Sequence, residues 1–88
     1  MGFWAKTKKE DILMITEQSW KKEFSTRLRA RLQEVKMQQK DLAELVYVTP
    51  QTISLYCMGN AIPSGYTLTL IASALNCTVG YLVGEEEL

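Results

Sequence analysis

Between Gln39 and Met58 the sequence fits two short helices into twenty residues, and no other stretch restricts the fold as tightly. In the first, Gln39 through Val46, an apolar face is supplied by Leu42, Ala43, Leu45 and Val46. Thr49-Pro50 opens the second. A Thr hydroxyl can cap the free N–H groups of a first turn, and Pro at the first helical position gives up only an N–H that has no partner there. Ile53, Tyr56 and Cys57 share one side of this second helix, and Gly59-Asn60 ends it. Only about three residues are left to join the two helices, so the chain must turn sharply and cross them at a steep angle.

The rest of the chain also reads as helical. Thr7-Lys8-Lys9-Glu10 has the form of a capping box and is followed by Ile12, Leu13 and Ile15, which predicts a helix over residues 8–20. Ser25 is the next expected N-cap, with Phe24 stapling the turn and Leu28, Leu32 and Val35 forming the buried stripe of a second helix. A break at residues 36–38 precedes the tight pair. Beyond it, Ser64 should cap a helix carrying Leu68, Ile71, Ala72 and Leu75, which Asn76 closes. Thr78 should cap a last turn with Val79, Leu82 and Val83, before a frayed, solvated tail of glutamates at 85–87. Strand alternation is nowhere sustained. The chain is expected to divide into an N-terminal helical extension at 1–23, a five-helix body at 24–84 and an acidic tail at 85–88.

Composition removes several classes. No apolar run approaches the roughly 20 residues of a membrane span, and the N-terminus lacks the apolar stretch of a secretory signal. Two cysteines make no disulfide framework and, with no His in the chain, no zinc-finger spacing is present. Both are expected to sit as small hydrophobes in a reducing cytoplasm. General acid–base catalysis would fall to carboxylates or Tyr, and no pair of them stands out, so neither enzymatic activity, a metal nor a cofactor is expected. Ten basic and ten acidic residues cancel. The sum hides a faintly basic body, with Arg27, Arg29, Arg31, Lys36 and Lys40 against Glu34, Asp41 and Glu44, beside an acidic end.

Four further stretches carry a family pattern. Gln39-Lys40-Asp41-Leu42-Ala43-Glu44-Leu45 is similar to a Q-x-E-L-A helix, and Val48-Thr49-Pro50-Gln51-Thr52-Ile53-Ser54 to a V-S/T-x-x-T-I-S run. Gly59 followed by Pro63 is similar to an N-G-x-x-x-P exit, and residues 67–79 to a T-L-x-x-I-A-x-A-L-x-V-x-V helix pair. Residues 24–84 thus resemble the Cro/CI-type (lambda-repressor-like, XRE) helix-turn-helix domains of phage and bacterial regulators. The resemblance implies an all-α, five-helix DNA-binding domain, here with an additional N-terminal helix. It makes residues 50–58 the recognition helix in the major groove, where Pro50, Gln51, Thr52, Ser54 and Leu55 meet bases. The amide of Gln51 can pair with adenine N6 and N7 together. Gln39, Asn60, Ser64 and Tyr66 match positions that hold phosphate; Gln39 could equally serve as an N-terminal cap.

The departures from the pattern are informative. The recognition helix contains no Arg or Lys, so the commonest guanine reader is missing and Leu55 can only meet a thymine methyl; A·T pairs at the centre of the half-site are expected. Tyr47 stands where the family usually places Gly in the turn, so either the turn differs or the ring offsets the strain of a positive φ. Many members join the first helix of the body to the end of the recognition helix by an Arg–Glu pair; here the matching positions are Leu32 and Cys57, and both charges are gone together, as a packed apolar pair allows.

The expected protein is a cytoplasmic, sequence-specific regulator that acts by occupying an operator, with no room in 88 residues for an inducer-binding domain. Double-stranded DNA, with a palindromic operator, is the expected partner. A homodimer is expected to form through residues 1–23, whose Trp4, Ile12, Leu13, Ile15 and Trp20 are much apolar surface to expose, or through the turn at 79–83. The competing class is a protein-interaction module on the same scaffold, antitoxin-like or antirepressor-binding.

Overall fold

The computed structural model describes residues 15–87. The helix expected over residues 8–20 and its Thr7 cap lie outside the described residues as far as Met14. Ile15 and Thr16 lie outside any helix, Thr16 being extended, and Thr16 is itself an N-cap: its side chain accepts from the Ser19 N–H at 2.9 Å, and the Ser19 hydroxyl oxygen accepts from the Thr16 N–H at 3.1 Å. This reciprocal box starts α1, Glu17–Val35, a single helix of 19 residues.

The N-cap expected at Ser25 is therefore corrected. Ser25 lies mid-helix and buried, and its hydroxyl donates back to the Lys22 carbonyl at 3.0 Å, the local bond a helical Ser makes when it is not starting a helix. Phe24 does not staple a turn. It is fully buried, stacked on Trp20 with ring centroids 5.2 Å apart, and meets the edge of Tyr56 at 6.0 Å. Trp20, Phe24, Leu28 and Leu32 recur every four residues, so one apolar stripe runs unbroken through the expected boundary at residue 24.

Four shorter helices follow: α2 Gln39–Val46, α3 Pro50–Cys57, α4 Gly65–Ala74 and α5 Val79–Leu82. No strand occurs among the described residues, and no helix among them is long and apolar enough to cross a membrane. Thr49, Ser64 and Thr78 cap α3, α4 and α5 as their spacing predicts, each accepting from the N–H three residues on. All five helices close with one device: a left-handed residue, followed by an N–H that reaches back five residues to a carbonyl. Met37 reaches Leu32, Val48 reaches Ala43, Asn60 reaches Leu55, Cys77 reaches Ala72 and Glu85 reaches Gly80.

One core results. Leu28 and Leu32 of α1, Leu42, Ala43 and Val46 of α2, Ile53, Tyr56 and Cys57 of α3, Leu68, Ile71 and Ala72 of α4, and Tyr81 and Leu82 of α5 are all buried in it, with Phe24 and Leu75. Leu32 and Cys57 are thus both in apolar surroundings. Arg31 fastens the far side, donating to the Leu75 carbonyl at 2.9 Å and the Asn76 carbonyl at 3.0 Å and so neutralising the end of α4.

The tail is not frayed. Glu87 accepts from Arg27 at 3.0 Å, and the Glu86 side chain accepts from the Thr78 hydroxyl. Arg27 is further held by Glu23 at 2.9 Å and lies 5.0 Å from the centroid of the Tyr81 ring. Pairing of this kind holds the side chains of two of the three adjacent glutamates, Glu86 and Glu87, on the body.

Candidate nucleic-acid interface

The tight pair of helices forms as its spacing requires. Tyr47, at the end of α2, is left-handed with φ 60° and ψ 43°, and its N–H bonds the Ala43 carbonyl. The turn thus keeps the geometry that Gly would give, and the ring does not offset the strain, because Tyr47 is 88% exposed. Thr49 then caps α3: its hydroxyl oxygen accepts from the Thr52 N–H at 3.2 Å, and the two hydroxyls share a hydrogen bond of 2.9 Å.

With Ile53, Tyr56 and Cys57 turned into the core, α3 shows its other side to solvent. Pro50, Gln51 and Leu55 are exposed, and Thr52 and Ser54 are partly so. All five residues expected to meet bases share this outward side or its margins. Met58, 60% exposed, extends it. Around it stand the expected phosphate holders. Asn60 is exposed in the exit loop; Ser64 is the cap of α4, already bonded to Thr67; and Tyr66 is exposed in the first turn of α4. Gln39 is exposed as the first residue of α2. It is not a cap: that position belongs to Gln38, whose N–H is taken by the Asp41 carboxylate at 3.3 Å.

Sequence reasoning passed over two residues that frame this surface. Lys22 and Arg29 of α1 line a shallow depression with Gln18, Ser25, Thr26, Met58, Gly59 and Asn60. Their signal was a seven-residue spacing, which places two side chains on one helix stripe, but it has meaning only if residues 22 and 29 belong to one helix. Cys57, at the end of α3, is a packed thiol. Burial pushes its pKa up, against a smaller lowering by the charge of Arg29, so it is kept neutral and unreactive. Among the described residues no group of His, Cys, Asp and Glu is arranged to hold a metal.

A helix-turn-helix family profile matches residues 28–82. The solution structure of the SOS-response transcriptional repressor LexA from Eubacterium rectale superposes with a TM-score of 0.74 at 26% identity, covering 84% of this chain and 79% of that one. No curated protein sequence matches the chain. The chain belongs to the XRE-type helix-turn-helix family, a family of DNA-binding transcriptional regulators that are usually not enzymes.

Proposed function

We propose that the protein binds double-stranded DNA sequence-specifically and regulates transcription by occupying an operator, in the manner of phage repressors of the Cro type. The observation that supports this best is the outward side of α3. It is a short helix with a capped start and a steeply turned entry, exposing an amide at Gln51, hydroxyls at Thr52 and Ser54 and an apolar contact at Leu55. A major groove reads such groups directly: the Gln51 amide takes an adenine edge, and Pro50 and Leu55 lie against thymine methyls. Gln39, Asn60, Ser64 and Tyr66 then hold backbone phosphates on either side.

The chain works as a homodimer on a palindromic site in this reading, since a two-fold protein matches two half-sites one helical turn apart. A groove lined by Ile15, Trp20 and Val83 together with Ser19, Glu23 and Glu85 supports a contact through the start of α1 and the end of α5. Sedimentation of the full chain beside I15D and V83D variants tests it: the variants are expected to sediment as monomers at concentrations where the parent is dimeric.

Selection from a random-sequence duplex library tests the main reading. Enrichment of a two-fold site with A·T pairs at the centre of each half-site is the expected result, lost in Gln51→Ala. Enrichment centred on G·C pairs would contradict the contacts assigned to Gln51 and Leu55. No binding at any salt concentration would leave a protein-interaction module on the same scaffold.

A further inference from the structure

Seven lysines and arginines lie among the described residues, and their ion pairs are unevenly distributed. Arg27 is held by Glu23 and Glu87, Arg31 by Glu34 at 3.2 Å, and Lys21 by Glu17 at 3.6 Å. Lys22 and Arg29 have no carboxylate partner among the described residues. They are seven residues apart, two turns along the same stripe of α1, whereas Glu23, Arg27, Arg31 and Glu34 occupy the opposite side. The acidic side chains have neutralised one side of the helix and left the other positive.

The positive stripe borders the proposed recognition helix. Gly59, just past α3, packs on α1: a Cβ there would meet the Ser25 hydroxyl at 3.4 Å and the Lys21 carbonyl at 3.6 Å, ordinary van der Waals contact, while its φ of +74° favours glycine. This contact sets Met58, Gly59 and Asn60 beside Lys22 and Arg29, and the five line one open depression with Gln18, Ser25 and Thr26. Arg29 is anchored there by its Nε, which donates to the Ser25 carbonyl at 3.2 Å and leaves the terminal nitrogens of the guanidinium to point elsewhere.

We infer that Lys22 and Arg29 form a phosphate clamp with Asn60, gripping the DNA backbone that flanks the groove entered by α3. The inference rests on the DNA-binding reading above and adds to it a second contact element, the stripe of α1 that carries Lys22 and Arg29. Charge complementarity selects the occupant. With no cation on α3, Lys22 and Arg29 are the charges that share the depression with Met58, Gly59 and Asn60, so a polyanion seated at Asn60 lies beside both. The grip is indifferent to base sequence, because guanidinium and ammonium groups meet phosphate oxygens alike.

The test is the salt dependence of binding by the full chain to a 30-bp duplex of mixed sequence, read by fluorescence anisotropy. Each lost phosphate contact lowers the slope of log affinity against log salt by about 0.9, so a K22Q/R29Q variant should lose about 1.8 from that slope. Between 50 and 200 mM salt the parent then loses roughly tenfold more affinity than the variant. K22R/R29K should restore the slope. K21Q, which removes a cation already paired with Glu17, should leave it unchanged. Should K22Q/R29Q fail to fold, K22Q alone changes only an exposed side chain and should show about half the effect. A parent that binds with a slope unaltered by these changes overturns the clamp and leaves the DNA reading intact. A parent that does not bind the duplex even at 50 mM salt also overturns the clamp, and the sequence-specific reading then stands or falls with the library selection.

Discussion

Tyr47 occupies a backbone conformation that costs an L-residue about 1 kcal/mol, and its ring returns nothing by packing. Lys36 and Asn76 make the same left-handed turn, with φ of 58° and 54°. Asn tolerates it through its short polar side chain; Lys and Tyr have no such help. Tyr47→Gly is accordingly expected to stabilise the fold by about 0.5–1 kcal/mol, the relief being partly offset by the greater freedom of Gly in the unfolded chain. A chain of this size should then melt a few degrees higher. Tyr47→Ala, which keeps a Cβ at positive φ, should show no such gain. Equal melting temperatures for parent and Tyr47→Gly, followed by circular dichroism, would mean that the strain is relieved in some other way. The sequence pattern showed that a turn residue was unusual here, yet it could not say whether geometry or packing had given way, because side-chain exposure depends on elements far along the chain.

At the scale of elements, the contact of α1 with α3 replaces a charge pair common in the family by Leu32 and Cys57, respectively 6% and 4% exposed. Reinstating one charge without the other should be costly. Cys57→Glu alone is expected to lose about 3 kcal/mol or more, the penalty of an unpaired charge in an apolar core. Leu32→Arg alone should cost less, since a long side chain can carry its charge outward. The double variant should be more stable than the sum of the two losses predicts, by about 1–3 kcal/mol, if the positions face each other as the family resemblance implies. Urea denaturation of the four proteins measures this, and strict additivity would show that the two sites do not couple. Elements differ in how legible they were. The caps at Thr49, Ser64 and Thr78 were readable because a hydroxyl three residues ahead of an N–H is a local signal. α1 was misread for the converse reason. Ser25 has the residue type of a cap, and only the four-residue recurrence of Trp20, Phe24, Leu28 and Leu32 shows that the helix continues through it. That error hid Lys22 and Arg29, which become neighbours of Asn60 only on an unbroken helix. The docking of Glu87 onto Arg27, sixty residues away, left no local trace at all.

At the scale of the whole molecule, the single core decides how stability responds to pH. The chain contains no His, so no side chain with an ordinary pKa between 5 and 8 is available to couple folding to protons near neutrality. The buried titratable groups lie at the alkaline end. Burial raises the Cys57 thiol and the Tyr56 phenol, and it raises Cys77 too, against a smaller lowering by Arg31. For such acids the sign is fixed. As pH passes the ordinary thiol value of 9.0, the unfolded chain gives up its thiol protons while the folded chain keeps them. The folded state then binds more protons than the unfolded state, and stability must fall with pH. The contribution is fully present below that pH and is lost as it rises toward and through the elevated values; the phenol adds to the loss above its ordinary value of 10.0. The melting temperature is therefore expected to be flat between about pH 6 and 8 and to decline from about pH 9 upward. A variant carrying Cys57→Ala and Cys77→Ala should start lower, from lost packing, but decline less steeply between pH 9 and 10. A parallel decline in the two proteins would assign the alkaline loss to ion pairs on the surface, and a flat profile to pH 10.5 would show that water reaches these thiols in the folded state.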